Sequence, residues 1–171
     1  MLSKKMTDAL NAQINKEMYS AYLYMAMSAY SDFQGLRGFA QWFSVQYEEE
    51  MSHAMRIYHY IQEQGAQVVL RAIEEPPKSF GKPLEMFEKT LEHEKYITKS
   101  INALVDLAIA EKDHATQIFL QWFVTEQVEE EANDNEIIDR LKMVGDQGNG
   151  LFMIDRELGV RKSEKESEEE S

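Results

Sequence analysis

The stretch QWFSVQYEEEMSH at residues 41–53 recurs as QWFVTEQVEEEAN at residues 121–133. The shared Gln-Trp-Phe opening sets the alignment of the two copies, and in that alignment Glu50 falls on Glu130. Both copies lie in long stretches whose apolar residues recur every three or four positions, the spacing of an amphipathic helix. The repeat therefore predicts two helices that occupy equivalent places in the two halves of the chain.

The same apolar spacing predicts four long helices, at residues 3–32, 36–64, 83–108 and 113–144. The third starts at a proline, which is favoured in a first helical turn, and Asp113 is the predicted N-cap of the fourth. Three glycines end the fourth helix, at positions 145, 148 and 150, and residues 151–158 form a predicted short fifth helix.

The connections predict how the helices are arranged. Residues 33–35 are a short break, so the first two helices are antiparallel. Residues 65–82 hold two glycines and two prolines without helical periodicity, and an extended segment of that length can reach roughly 59 Å. The second helix is only roughly 43 Å long, so the third can lie parallel to it. The predicted fold is all-α, the ferritin-like four-helix bundle with a lengthwise crossover.

Composition limits the domain organisation and the partners. A chain of 171 residues fits one domain, predicted at residues 1–160, and the charged segment 161–171, which has no aromatic residue, is predicted to be disordered. Eighteen basic against 31 acidic residues give a net charge of -13, which disfavours nucleic acid, and the absence of cysteine excludes thiolate metal ligands. No apolar run approaches the roughly 18 residues of a membrane span, so we expect a cytoplasmic protein. Residues 18–31 carry no charge, which predicts contact with another subunit of a homo-oligomer.

Each of the four long helices carries a carboxylate where its apolar stripe should continue. Glu17 lies seven residues after Leu10 and seven before Tyr24, which places it on the inward face of the first helix. By the same count, the inward polar residues of the other three helices are Glu50 and His53, Glu94, and Gln127 and Glu130. Their depths along the helices are similar, so these side chains can meet in one layer.

Such a layer predicts a metal centre. An unpaired buried carboxylate costs several kcal/mol, so four around one point require protons or a multivalent cation. Four carboxylates, one imidazole and one amide oxygen provide enough ligands for two metal ions with a bridging carboxylate. This donor set suits iron or manganese better than a closed zinc site. The remaining histidines, at positions 59, 93 and 114, are predicted to lie on the surface.

These residues together resemble the ferroxidase centre of the non-haem ferritins of the prokaryotic type. The resemblance covers residues 1–160 and rests on Glu17, Tyr24, Glu49-Glu50-x-x-His53, Glu94 and Glu126-Gln127-x-Glu129-Glu130. It implies a shell of twenty-four subunits that takes up Fe²⁺, oxidises it with dioxygen or peroxide and stores a ferric mineral.

The resemblance also implies a role for each residue. The first iron would be held by Glu17, Glu50 and His53, and the second by Glu94 and Glu130 with Gln127 nearby. Glu50 would bridge the two ions, and Tyr24 would hydrogen-bond beside them. A third iron site would be formed by Glu49, Glu126 and Glu129, with Glu130 shared.

The chain differs from related metal proteins at two places and matches the bacterioferritins at a third. Asn133 lies three residues after Glu130, where di-iron oxygenases and bacterioferritins carry a histidine, so the second iron would lack an imidazole. Met51 stands where bacterioferritins carry the haem-ligating methionine, but without that histidine haem binding is not expected. The acidic pore residues of animal ferritins are replaced by Thr116, Gln117 and Leu120, so the resemblance does not predict the route by which iron enters.

Two other functions use the same bundle. A di-iron peroxidase or oxygenase would bind a few irons per subunit and form no mineral. An oligomerising structural protein would bind no iron at the acidic layer. A DNA-protecting mini-ferritin is disfavoured, because its metal site lies between subunits and this chain is longer and acidic.

Overall fold

The computed structural model describes residues 1–145 and 148–162. In these residues it contains five helices and no strand: α1 (Lys4–Phe33), α2 (Arg37–Glu63), α3 (Pro83–Ala110), α4 (His114–Val144) and α5 (Gly148–Leu158). The predicted all-α fold is confirmed, and the four long helices begin and end within two residues of the predicted positions. The short fifth helix begins three residues earlier than predicted. Residues 163–171, most of the predicted disordered tail, lie outside the described residues.

Side-chain caps explain where several helices begin. Asp113 Oδ1 accepts a hydrogen bond from the backbone N–H of Thr116 at 3.0 Å, which confirms the predicted N-cap of α4. The start of α2 has no cap of its own, because Leu36 precedes it. Asp155 of α5 supplies one, since its Oδ1 accepts from the backbone N–H groups of Gly38 and Phe39 at 2.8 and 3.1 Å. The fifth helix is thereby docked on the first turn of α2.

Glycine at position 38 permits this docking. A Cβ atom there would overlap the backbone carbonyl oxygen of Asp155, so any other residue would push α5 away from α2.

Contacts between the helices establish their directions. Helix α1 is antiparallel to α3, because Gln13 hydrogen-bonds Ser100 while Ser20, further along α1, bonds the earlier residue His93. It is also antiparallel to α2, since Ser28 donates to the carbonyl of Ala40 whereas the earlier Glu17 lies beside the later Glu50. Helices α2 and α3 therefore run parallel, as predicted.

The crossover between α2 and α3 runs along α1. Near its start, Asn11 donates to the carbonyl of Gln67 at 3.1 Å and accepts from the N–H of Val69 at 2.8 Å. Near its end, the hydroxyl of Tyr30 donates to the carbonyl of Gly81 at 3.3 Å. Because Asn11 and Tyr30 are just over five turns apart, the crossover spans most of the bundle's length.

The core consists of two apolar clusters with a polar layer between them. One cluster contains Met27, Phe39 and Phe87, and the other contains Leu10, Ile57 and Ile101. No described helix is both long enough and apolar enough to cross a membrane. The polar layer is the place where the inward carboxylates of the four long helices meet.

Candidate metal centre

Three of the predicted ligands converge at one point. Glu17 of α1 and Glu50 and His53 of α2 are all buried, and each offers one ligand atom within 4.8 Å of those of the other two. The pair on α2 points the same way because residues three apart share one helix face. Buried apolar residues lie before and after this level on both helices, among them Leu10 and Tyr24 on α1 and Phe43 and Ile57 on α2.

Two oxygens at this point have no hydrogen-bond partner in the described structure. Glu17 Oε1 accepts from Gln13 Nε2 at 2.7 Å, whereas Glu17 Oε2 accepts nothing. Glu50 Oε2 lies 3.5 Å from His53 Nδ1 and also has no hydrogen bond. Unsatisfied buried oxygens are costly, and a bound cation would satisfy both. The residues therefore fit a metal ion of the hard-to-borderline class.

The predicted second position is built from α3 and α4. Glu94 is held at both oxygens, since the hydroxyl of Tyr24 donates to Oε1 and Gln127 Nε2 donates to Oε2 at 3.1 Å. Glu130 Oε2 accepts from Gln46 Nε2 at 2.8 Å. All of these side chains are buried. Neutral donors thus orient both carboxylates without cancelling their charge, which leaves them able to bind a cation.

Burial and mutual repulsion raise the pKa of the carboxyl groups in this layer. Burial is the main cause for Glu17 and Glu50, and neighbouring carboxylates add to it. The pKa of Glu130 rises to about 8 because of burial and the charges of Glu94 and Glu49. The raised pKa values favour the protonated carboxyl groups when no cation is bound, and a bound cation would displace these protons.

The residues of the predicted third site lie at the edge of this layer. Glu49 and Glu126 are half-buried and Glu129 is exposed. Glu49 is close enough to Glu130 to raise its pKa. Arg161 donates to Glu49 Oε2 at 2.6 Å, so this carboxylate already has a cationic partner. Their joint role as an iron site stays a prediction.

Asp134 is a buried acid that the sequence analysis did not identify. Its side chain is inaccessible to solvent, and neither carboxylate oxygen has a partner among the described residues. Burial and the charges of Glu94 and Glu130 raise its pKa to about 9. Asn133, which the repeat aligned with His53, is exposed and does not face the centre. The next inward residue after Glu130 is Asp134.

The prediction that His93 lies on the surface is wrong. It is half-buried, its Nε2 lies 2.7 Å from Ser20 Oγ, and its ring meets the Tyr24 ring edge-on with centroids 6.0 Å apart. Burial lowers the pKa of His93 to about 4, so the imidazole is neutral at physiological pH. The neutral imidazole packs against Tyr24 without adding charge.

Comparisons with known proteins agree with this geometry. The ferritin family, described as a ferritin-like domain, matches residues 7–144. A bacterial non-heme ferritin of Bacteroides fragilis (strain 638R) is 47% identical over 161 residues, covering 94% of this chain and 100% of the relative. One of Campylobacter jejuni is 44% identical and covers 91% of this chain and 93% of the relative. A solved open pore ferritin of the archaeon Archaeoglobus fulgidus is 48% identical, with a TM-score of 0.94, 95% of this chain covered and 100% of the other.

Proposed function

This chain belongs to the ferritin family, and on that basis we propose that it stores iron by oxidising Fe²⁺ within each four-helix bundle. The observation that carries the proposal is the group of Glu17, Glu50 and His53 with its two unsatisfied oxygens. A structural bundle would gain stability by replacing these residues with apolar ones, whereas a metal-binding protein requires them.

Iron is the substrate at this centre. Glu17, Glu50 and His53 bind one Fe²⁺, and Glu94 and Glu130 bind a second, with Glu50 shared between the two ions. Burial raises the pKa of Glu50, and the charges of Glu94 and Glu130 add to the rise, so these carboxylates lie near it. Two adjacent Fe²⁺ ions together supply two electrons to dioxygen or peroxide. The protons that leave the carboxyl groups on iron binding prevent a build-up of positive charge in the layer.

The neighbouring polar residues orient the ligands. The Tyr24 hydroxyl and the Gln127 amide fix both oxygens of Glu94, and burial together with Glu94 raises the pKa of Tyr24, so its hydroxyl remains protonated. These two hydrogen bonds hold the Glu94 carboxylate in one orientation before iron binds, so it can bind the second iron without rearrangement. Among the described residues the centre has one imidazole, at the first position, so the second ion lacks an imidazole ligand and is held more weakly.

Storage requires a container, and α1 offers a surface for its assembly. Tyr22 and Met25 are exposed on the uncharged stretch of α1. We infer that this face contacts another copy of the chain in a shell of twenty-four subunits, in which the oxidised iron forms its mineral. A cytoplasmic location stays a prediction.

Glu50→Ala should weaken iron binding more than Glu94→Ala does. Glu50 would be shared by both ions and Glu94 would bind one, so losing Glu50 should reduce affinity at both positions by at least about tenfold. Anaerobic calorimetry with Fe²⁺ measures this difference. If each variant loses affinity for one ion only, and by the same factor, Glu50 does not bridge the two ions.

Iron counting distinguishes storage from the two other functions. The protein is titrated with Fe²⁺ without oxygen, exposed to air, and the iron per subunit is measured before and after. A storage protein binds two or three ions per subunit and then accumulates a mineral. A count that stays at two after repeated additions would indicate a di-iron peroxidase or oxygenase, and no binding would indicate a structural bundle.

A further inference from the structure

The chain beyond α5 returns to α2 and places Arg161 on it. Arg161 Nη2 donates to Glu49 Oε2 at 2.6 Å, and Nη1 donates to Gln46 Oε1 at 2.8 Å. The guanidinium also stacks on Trp42, 4.5 Å from the ring centroid. Three different partners hold one planar cation, which is a more specific arrangement than an ordinary surface ion pair.

Gln46 extends this contact into the metal layer. Its oxygen accepts from Arg161 while its nitrogen donates to Glu130 Oε2 at 2.8 Å. A continuous path therefore joins the guanidinium to a ligand of the second iron. The positive charge also acts on Asp134, because it opposes the rise in that carboxyl's pKa.

The anchoring of α5 makes the position of Arg161 reproducible. Asp155 caps the first turn of α2, and Arg140 of α4 pairs with Glu157 of α5. Both contacts lie upstream of Arg161 and do not involve Glu49. The guanidinium can therefore leave Glu49 while α5 stays docked.

We propose that Arg161 is a positioning residue whose guanidinium occupies the third iron site in place of a metal ion. It must be displaced when iron binds there. The inference rests on the proposed function, because the third site is part of it. Arg161 balances the charge of Glu49 while iron is absent, and it thereby lowers the affinity of that site for iron. Through Gln46 it also keeps Glu130 directed at the second position, so the two-ion centre fills first.

The test uses the assembled full-length protein and Zn²⁺, which binds similar ligands but is not oxidised. Calorimetry should give two tighter ions and a weaker third ion per subunit. Arg161→Gln should tighten the third ion by about tenfold, since the competing cation is gone, whereas Arg161→Lys should give an intermediate affinity. Arg156→Gln is the matched control, because it removes the same charge from an exposed position on α5 without touching Glu49 or the contacts that anchor α5, and it should leave the third ion unchanged.

Trp42 provides a signal that a purely structural role would not produce. Filling the third site in the parent should change the tryptophan emission, because the guanidinium leaves the Trp42 ring. The change should disappear in Arg161→Gln and in Trp42→Phe.

The outcomes separate the two proposals. Two tighter ions and a weaker third, with the third unaffected by Arg161→Gln, would overturn the role of Arg161 alone. If the parent and Arg161→Gln each bind only two Zn²⁺ ions, the role of Arg161 and the third site would both be refuted, and the two-ion centre would be retained. No Zn²⁺ in either protein would refute the metal centre itself.

Discussion

His53→Ala should abolish the fast phase of Fe²⁺ oxidation while the subunit folds and assembles normally. His53 is the only imidazole at the centre among the described residues and belongs to the group that converges within 4.8 Å. Loss of a partner outside the ligand sphere alone costs 10–100-fold in metal affinity or activity, so loss of a ligand should lower the initial rate by at least about 100-fold. Stopped-flow absorbance after mixing Fe²⁺ with aerated protein measures this rate.

His59→Ala is the matched control on the same helix. His59 is exposed. Among the described residues, the one aromatic ring that contacts its imidazole is that of the neighbouring Tyr58, so removing His59 should not change the rate. Size-exclusion chromatography of both variants establishes that assembly is intact. An unchanged rate in His53→Ala would refute the assignment of His53 as a ligand.

Asp134→Asn should flatten the pH dependence of stability in the iron-free protein. The folded-state pKa values of Asp134, about 9, and Glu130, about 8, exceed their unfolded values, which lie near 4. Between these limits the unfolded chain has released protons that the folded chain retains, so stability falls as the pH rises. Between pH 5 and pH 8 the free energy of unfolding should fall by roughly 2–4 kcal/mol per subunit less in Asp134→Asn than in the parent.

Calorimetric unfolding at several pH values measures this effect. The melting temperature of Asp134→Asn minus that of the parent should be about 5–10 °C larger at pH 8 than at pH 5. The comparison between pH values cancels any constant cost of burying the Asn amide. Asp139→Asn, an exposed change on the same helix, is the control and should behave like the parent. Parallel curves for Asp134→Asn and the parent would show that Asp134 is already charged when the protein is folded.

Much of this centre was predictable because helical periodicity reports which side chains face inward. Glu17 and Glu94 each interrupt an apolar stripe, and both are buried where the stripe places them. Their meeting in one layer followed from similar depths along helices of known rise. The predicted parallel direction of α2 and α3 followed from the length of the crossover alone.

The exposure of Asn133 follows from the width of the buried face of each helix. The repeat matches the two helices in rotational phase, since Ala54 of α2 and Asp134 of α4, which it aligns, are both buried. The buried face of α2 is wider at this level, because His53 is buried as well as Ala54, whereas Asn133 beside Asp134 is exposed. The letters of the repeat do not report this difference in width.

The environment of Arg161 could not be predicted from periodicity. Its charged neighbours in sequence are typical of a disordered segment, and its partners on α2 are more than one hundred residues away. Only the docking of α5 brings them together. The Asp155 cap that fixes this docking is a long-range contact between side chain and backbone, which no local pattern reveals.

The ligands proposed for the first iron all lie on the hairpin of α1 and α2, and this placement affects how the site forms during synthesis. Contacts that are close in sequence form early in folding, because little chain entropy is lost in closing them. Synthesis delivers this hairpin before α3 and α4, so we expect a nascent chain to bring Glu17, Glu50 and His53 together while their apolar surroundings are still open to water. We expect the ribosome-bound hairpin to be the first species able to capture a metal ion, and the completed bundle to enclose a site whose first half is already formed.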